Sequence, residues 1–317
     1  MLDALDRSVP SPPPTPARLK DRPMPPPPDY KLSEGGPFFA LHLLPLLAIF
    51  TGTTWVDWAV CFGLFFLRMF AITGFYHRYF SHRGFETSRT FRFVMAFLGC
   101  TASQRGPIWW AAQHRHHHLH SDSARDVHSP RQRGVLWSHM LWFTTRGAFD
   151  TPSRYVRDWL RVPELRWLER WNWIPPLVFA SLVYASGEAV AVTWPASGTS
   201  GLQALVWGYG IATVVLYHAT YTINSLAHRF GTRRFETGDD SRNNFWLALL
   251  TLGEGWHNNH HHYPSSARQG FYWWEIDLTY YGLVMLSSLG LIRNLRPVPR
   301  PALVKNRRSP RSTEVPR

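Results

Sequence analysis

Between Phe38 and His77 this 317-residue chain carries one basic residue, Arg68, and between Trp171 and His228 it carries none. The rest of its 34 Lys and Arg fall before, between and after those two blocks. Charge segregated in this way is the bias that orients membrane proteins, whose Lys and Arg gather in cytosolic loops. A helix needs ~20 apolar residues to cross a hydrocarbon core about 30 Å thick, so each block has room for a pair of crossings. The chain therefore reads as an all-α integral membrane protein. Its four transmembrane helices are expected at about 38–55, 58–76, 174–194 and 202–223. Pro45 kinks the first of them without ending it. Arg68 must face protein or snorkel, and Glu188 stands near the far end of the third span. The short links inside each pair carry no basic residue, so both turns lie outside. Both termini and the two large polar segments then lie in the cytosol.

A formal charge of +13 is by itself compatible with nucleic acid or an anionic membrane as partner. Nucleic-acid binders spread their cations over one face of the fold. The empty aromatic blocks here exclude nucleic acid and point to membrane lipid. Hydrophobic residues at 45% exclude a disordered chain, and charged residues at 17% lie below the roughly 25% of soluble domains. Two cysteines, Cys61 and Cys100, both in apolar stretches, make no disulfide framework. Residues 1–37 are expected to be a disordered cytosolic tail. Ten prolines lie between Pro10 and Pro28, which no helix tolerates, and no signal-peptide apolar core is present. The membrane domain is expected over 38–292, with a basic disordered tail over 293–317 beside anionic lipid. Within the domain, 91–101 is too short to span and reads as an interfacial or buried helix. A weak apolar segment covers 245–252. Glu275 and Asp277 make 271–291 amphipathic and interfacial.

Histidine is the informative residue type, at 16 of 317. His77 and His82 stand in H-x-x-x-x-H at the cytosolic end of the second span. His114, His117 and His118 form H-x-x-H-H, and His257, His260 and His261 repeat that spacing. At this histidine content one such pattern is expected roughly 0.04 times by chance, so two of them are a motif. Helix positions three and four apart share a face, which lets each triplet offer three imidazoles to a small volume. Asn224 and His228 follow at i and i+4 where the fourth span reaches the cytosol. His42, His139 and His218 read as ordinary hydrogen-bonded histidines. His116, His120 and His262 fall outside the repeated spacing, and His128 reads as a supporting or structural residue. Eight box histidines plus His228 are too many for one tetrahedral zinc and suit two ions of higher coordination number. Imidazole alone leaves zinc, copper, iron and nickel open. A redox-active pair at a membrane surface points to oxygen activation, and from that chemistry to iron.

The stretches GFYHRYFSHRGFETSRTFRF, WWAAQHRHHHLHSDSARDVHSPRQRGVLWSHMLWF, TINSLAHRFGTR and LGEGWHNNHHHYPSSARQGFYWWEIDLTYYG carry a family resemblance. The sequence resembles membrane fatty acyl desaturases of the stearoyl-coenzyme A desaturase type, particularly their bacterial relatives, over roughly 38–292. That resemblance implies four transmembrane helices with a cytosolic helical cap holding a histidine-rich dimetal site. It implies nine ligands to two Fe ions: His77, His82, His114, His117, His118, His228, His257, His260 and His261. Asn224 would reach a metal through water. It further implies that dioxygen and two electrons remove two hydrogens from a methylene pair of a saturated acyl chain. The product is a cis double bond, at Δ9, with acyl-coenzyme A as the carrier. The animal acyl-coenzyme A enzymes have an Arg–Asp pair where this chain has Ala112 and Gln113, so phospholipid-esterified acyl chains are the rival substrate. A bent channel would position the chain, and Trp109, Trp110, Trp142 and Trp256 are candidate walls. With no haem domain or iron–sulfur motif in the sequence, electrons are expected from a separate acidic protein: a ferredoxin, cytochrome or reductase. The resemblance places the protein in a bacterial inner membrane. A related hydroxylase or epoxidase is the alternative chemistry. A metal transporter is disfavoured because its ligands would lie within the spans.

Overall fold

The computed structural model describes residues 35–308. The Pro-rich tail expected before 38 lies almost wholly outside the described residues, as does 309–317. The described chain is mostly helical, with one two-stranded ribbon pairing β1 (Glu86–Thr87) with β2 (Ile292–Arg293).

Among the described residues three helices are long and apolar enough to cross a membrane. They are α2 (Trp55–Ser81), α6 (Ile174–Thr193) and α7 (Gly201–Ser225). The segment expected as a first full span is instead a shorter apolar helix, α1 (Gly36–Thr51), broken in its middle. Pro45 supplies the physical reason, since its ring removes a backbone donor and tightens the turn Leu44–Leu47 to 3₁₀ geometry. The second span starts earlier and ends later than the expected 58–76. Thr54 and Asp57 set its start through a reciprocal capping box: Asp57 Oδ2 accepts the Thr54 backbone N–H at 2.7 Å, and the Thr54 side chain accepts from Asp57. The same buried carboxylate accepts Thr199 Oγ1–H at 2.6 Å and so ties the α6–α7 turn to α2.

Outward faces of these helices are apolar: Ile49 is 78% exposed, Phe50 83% and Val192 78%. Hydrocarbon is the solvent that suits such a surface. Inside, Arg68 is 1% exposed. Its guanidinium donates to Thr213 Oγ1 (2.5 Å) and to the Gly208 carbonyl (3.2 Å) on α7, and lies 4.9 Å from the Phe179 ring on α6. A cation at this depth is tolerated because its donors are satisfied by protein. Glu188 likewise accepts the Gly201 N–H at the start of α7.

The cap is assembled at the end of the spans where α2 and α7 finish and α6 begins. It contains α3 (Arg89–Cys100), α4 (Pro107–His120), α5 (Pro163–Arg170), α8 (Phe245–Leu250), α9 (His257–His262) and α10 (Leu278–Ser288). Of the segment 271–291 only α10 is helical, and Asp277 caps it. Helix α4 starts on a proline, and the half-buried Glu169 of α5 accepts the N–H of Ile108 (2.8 Å) and Trp109 (3.1 Å) there. A carboxylate at a helix N-terminus satisfies orphan donors and complements the helix dipole. Residues 293–308, where a tail was expected to begin, pack on the cap. Arg296 exchanges backbone hydrogen bonds with Gly84 and Ala267, and Phe235 bridges to Arg307.

Candidate metal centre

The last 11 residues of α2, Ala71–Ser81, widen to π-helical geometry. On an α-helix two residues five apart diverge by about 140°, which would separate His77 from His82. Here the His82 N–H bonds the His77 carbonyl at 3.3 Å, an i→i−5 contact, and their rings come within 4.9 Å. π-Helical geometry is rare and is found frequently at functional sites.

Helix α4 delivers its three box histidines in two directions. His114 and His118, four apart, join His77, His82 and His260 in one cluster. His117 turns instead towards His228, His257 and His261 in a second. Helix α9 does the reverse, sending His257 and His261 to the second cluster and His260 to the first. Each H-x-x-H-H is thus split two and one between the clusters, where the spacing alone had suggested one volume per triplet. Within each cluster one ring nitrogen per histidine lies within 4.8 Å of all the others. All nine histidines expected as ligands fall in these two groups.

The donor set fits a pair of metal ions. In the first cluster Nε2 atoms face one another: His82–His114 at 2.8 Å, His114–His118 at 3.0 Å, His118–His260 at 2.9 Å and His260–His77 at 3.0 Å. Burial, and then the neighbouring imidazoles, push His82, His114, His118 and His260 well below the ordinary imidazole value. Neutral rings with converging lone pairs are the form a cation takes up. In the second cluster, burial lowers His257 in the same way. His261 Nε2 there is buried without a hydrogen-bond partner.

Four carboxylates stand behind the histidines. Asp122 accepts from His228 Nδ1 at 2.8 Å, Asp126 from His117 Nδ1 at 3.0 Å and Asp239 from His261 Nδ1 at 2.7 Å; Glu254 pairs with His77 Nδ1. Each fixes the Nδ1–H tautomer, leaves Nε2 as the inward lone pair and raises its basicity. Burial acts to raise Asp122, Asp126 and Asp239, but the histidines beside them hold all three well below the usual carboxylate range. Burial likewise opposes ionisation of Glu254, which His77 and Arg78 nevertheless hold below its ordinary value. Arg78 is itself buried and bonds Glu254 (3.1 Å), Asp277 (2.8 Å) and the Ala267 carbonyl (2.8 Å). Gly253, at φ +125°, makes this arrangement possible, since a Cβ there would lie 2.5 Å from Asp277 Oδ1.

Sequence reasoning did not single out these four acids. Asp122 and Asp126 follow the second box closely, and Glu254 stands three before His257. Asp239 has no such signal, because it reaches His261 across a loop. His128 stacks on His117 at 4.3 Å between centroids, and burial takes it down to about 3. His116 and His120 pack on one another, and His116 also packs on Tyr155. His262 stacks on Phe235 and bonds the Ala302 carbonyl.

Beside the first cluster lies a cavity of about 660 Å³, within the ~300–1,000 Å³ range of ligand sites. It runs from His114, His128 and Asn224 down to Leu41, Leu177, Ala180 and Tyr209 at the level of the spans. Trp109, Trp110 and Trp142 line it. Trp256 does not. Its buried indole donates to the Ile276 carbonyl at 2.8 Å and packs against Phe245, which makes it a support for the third box and removes it from the candidate walls.

Residues 53–284 match the sequence profile of the family described as Fatty acid desaturase. The chain belongs to the fatty acid desaturase family. It is 39% identical over 267 residues to a probable lipid desaturase, ADS3.2, of Arabidopsis thaliana, covering 82% of this chain and 68% of the relative. It is 36% identical over 266 residues to an sn-2 palmitoyl-lipid 9-desaturase of Nostoc sp. (strain 36), covering 81% and 87%. Against an acyl-CoA C20 Delta5-desaturase of Anemone leveillei it is 36% identical over 260 residues, covering 81% and 78%. As a desaturase it is an oxygen-dependent oxidoreductase of fatty acyl chains, with histidine clusters able to hold metal.

Proposed function

We propose that this protein introduces a cis double bond at Δ9 of a saturated acyl chain carried by a membrane glycerolipid. The observation that carries this reading is the cavity, which begins at His114 and descends beside the apolar faces of α6 and α7. An acyl chain laid in it has one stretch of methylenes beside the histidine clusters and its tail among aromatics. The chain's own residues do the selecting: Trp109, Trp110 and Trp142 narrow the upper part, while Tyr209 and Tyr217 wall the lower part. Gln113, at one position of the missing Arg–Asp pair, donates to the Ala148 and Asp150 carbonyls at 3.0 Å each. Its amide is committed internally and leaves no arm for a coenzyme A headgroup. That observation favours a glycerolipid over acyl-coenzyme A, the carrier suggested by resemblance.

In this reading the first cluster holds one iron through His77, His82, His114, His118 and His260. The second holds another through His117, His228, His257 and His261, with Asn224 adding a water-mediated contact. Two iron ions so held supply activation of dioxygen for hydrogen removal from an unactivated C–H pair. Asp122, Asp126, Asp239 and Glu254 orient the imidazoles, and burial of the clusters keeps bulk water away from the reacting carbons. Electrons come from a separate acidic protein docking on the basic cap. In this reading the shorter α1 crosses together with the three long helices, and the clusters face the cytosol.

The purified, iron-loaded protein, given a reduced ferredoxin and vesicles of palmitoyl glycerolipid, should form a monoene there faster than with palmitoyl-coenzyme A. Turnover of the coenzyme A ester alone would overturn the carrier assignment. An oxygenated product would move the reaction to the hydroxylase class.

A further inference from the structure

Three histidines outside the clusters form a chain of their own. His42 Nδ1 lies 2.7 Å from the Phe38 carbonyl, and His42 Nε2 lies 3.2 Å from His218 Nε2. His218 Nδ1 lies 3.0 Å from His139 Nε2, His139 Nδ1 lies 2.9 Å from Ser225 Oγ, and Ser225 Oγ lies 2.9 Å from the Tyr221 carbonyl. Both ends are carbonyl oxygens, which only accept. Five contacts therefore need five hydrogens. A neutral imidazole brings one N–H and a serine one O–H, so three histidines and Ser225 bring only four. A neutral chain leaves one contact with two lone pairs opposed, and one added proton completes it.

Ionisable side chains on apolar, membrane-type helices are costly and mark proton or ion pathways, and His42 and His218 stand on two of them, α1 and α7. The three histidines sit on three separate elements: α1, the turn Trp137–Leu141 and α7. Tyr217 and Tyr221 are the titratable groups facing them, at 6.3 Å from His42 and 5.9 Å from His139 between centroids. Among the described residues no carboxylate hydrogen-bonds to any of the three. Burial pushes His139 down from its ordinary value, which favours passing a proton on over retaining it. At the inner end Ser225 follows Asn224, and Ser138, beside His139, donates to the Asn224 carbonyl at 2.9 Å. Asn224 in turn lines the cavity together with His114.

We propose that His42, His218 and His139 are a proton relay ending at Ser225, which stands on α7 next to the cavity-lining Tyr221 and Asn224. The inference rests on the desaturase reading, whose stoichiometry consumes protons. A CH₂–CH₂ pair plus dioxygen, two electrons and two protons gives CH=CH and two waters, and both protons must reach a buried site. The relay moves one proton at a time by exchanging which nitrogen of each ring carries hydrogen.

The first test needs no metal. In histidine ¹⁵N NMR of the metal-free protein, the rings of His42, His139 and His218 should shift together at one midpoint, with uptake of one proton. In His218→Phe, His42 and His139 should titrate apart. Three independent midpoints in the unaltered protein would overturn the proposal. The second test uses the iron-loaded enzyme. His218→Phe should lower kcat ~100-fold and enlarge the solvent isotope effect, with iron content and KM unchanged. His139→Asn serves the same purpose should His218→Phe fail to fold. A wild-type kcat and isotope effect in a folded variant would overturn the relay. Absence of any alkene from the unaltered enzyme would count against the desaturase reading instead, and leaves the NMR result standing as the test of the relay.

Discussion

His117 and His118 are neighbours in sequence and serve different clusters, because adjacent helix positions point about 100° apart. Replacing His117 with Ala should therefore empty one cluster and spare the other. Iron per chain should drop from about two to about one, and desaturation should vanish while the protein still inserts in the membrane. Undiminished activity in that variant would remove His117 from the ligand set. The carboxylates behind the rings should be felt less severely. Asp122→Asn keeps a hydrogen-bond partner for His228 but loses the charge, and iron affinity should weaken ~10–100-fold on titration. At this scale the sequence was largely legible: the repeated H-x-x-H-H gave the ligand candidates that the fold brings together. It did not reveal how they divide, nor Asp239, since those depend on the crossing of α4 and α9 and on a loop. Nor did it reveal the His42–His218–His139 chain, whose members stand about 80 to 176 residues apart and carry no shared motif.

Among the elements, α2 shows why spacing alone misleads. H-x-x-x-x-H is awkward on an α-helix and natural on the widened turn over Ala71–Ser81. No residue type in AITGFYHRYFS signals that widening. The N-terminus of α4 depends on Glu169, so Glu169→Ala should cost ~1–2 kcal/mol and lower the melting temperature in detergent, leaving ligand identities untouched. The four tryptophans separate in the same way. Trp142→Ala should change the chain-length preference of the product, since Trp142 walls the cavity. Trp256→Ala should lower thermal stability with the product profile unchanged, because its indole anchors Ile276.

For the whole molecule, charge segregation along the sequence located the long apolar helices, while the break at Pro45 shortened α1 in a way hydropathy does not register. The orientation is open to direct test. Cys61 and Cys100 are both buried, so an impermeant maleimide should leave the unaltered protein unlabelled. Gly198→Cys, in the α6–α7 turn, and Arg133→Cys, on the cap, should label from opposite sides of the membrane. Labelling of both from one side would contradict the proposed topology.

The most direct test compares total-lipid fatty acids from cells expressing the wild-type chain and the His261→Ala variant. Double bonds are derivatised so that mass spectrometry reads their position. A monoene with its double bond at Δ9, present with the wild type and absent with the variant, is the expected result. An unchanged saturated profile in wild-type cells that supply iron and a reduced donor would contradict the assignment, as would an identical monoene from the His261→Ala chain.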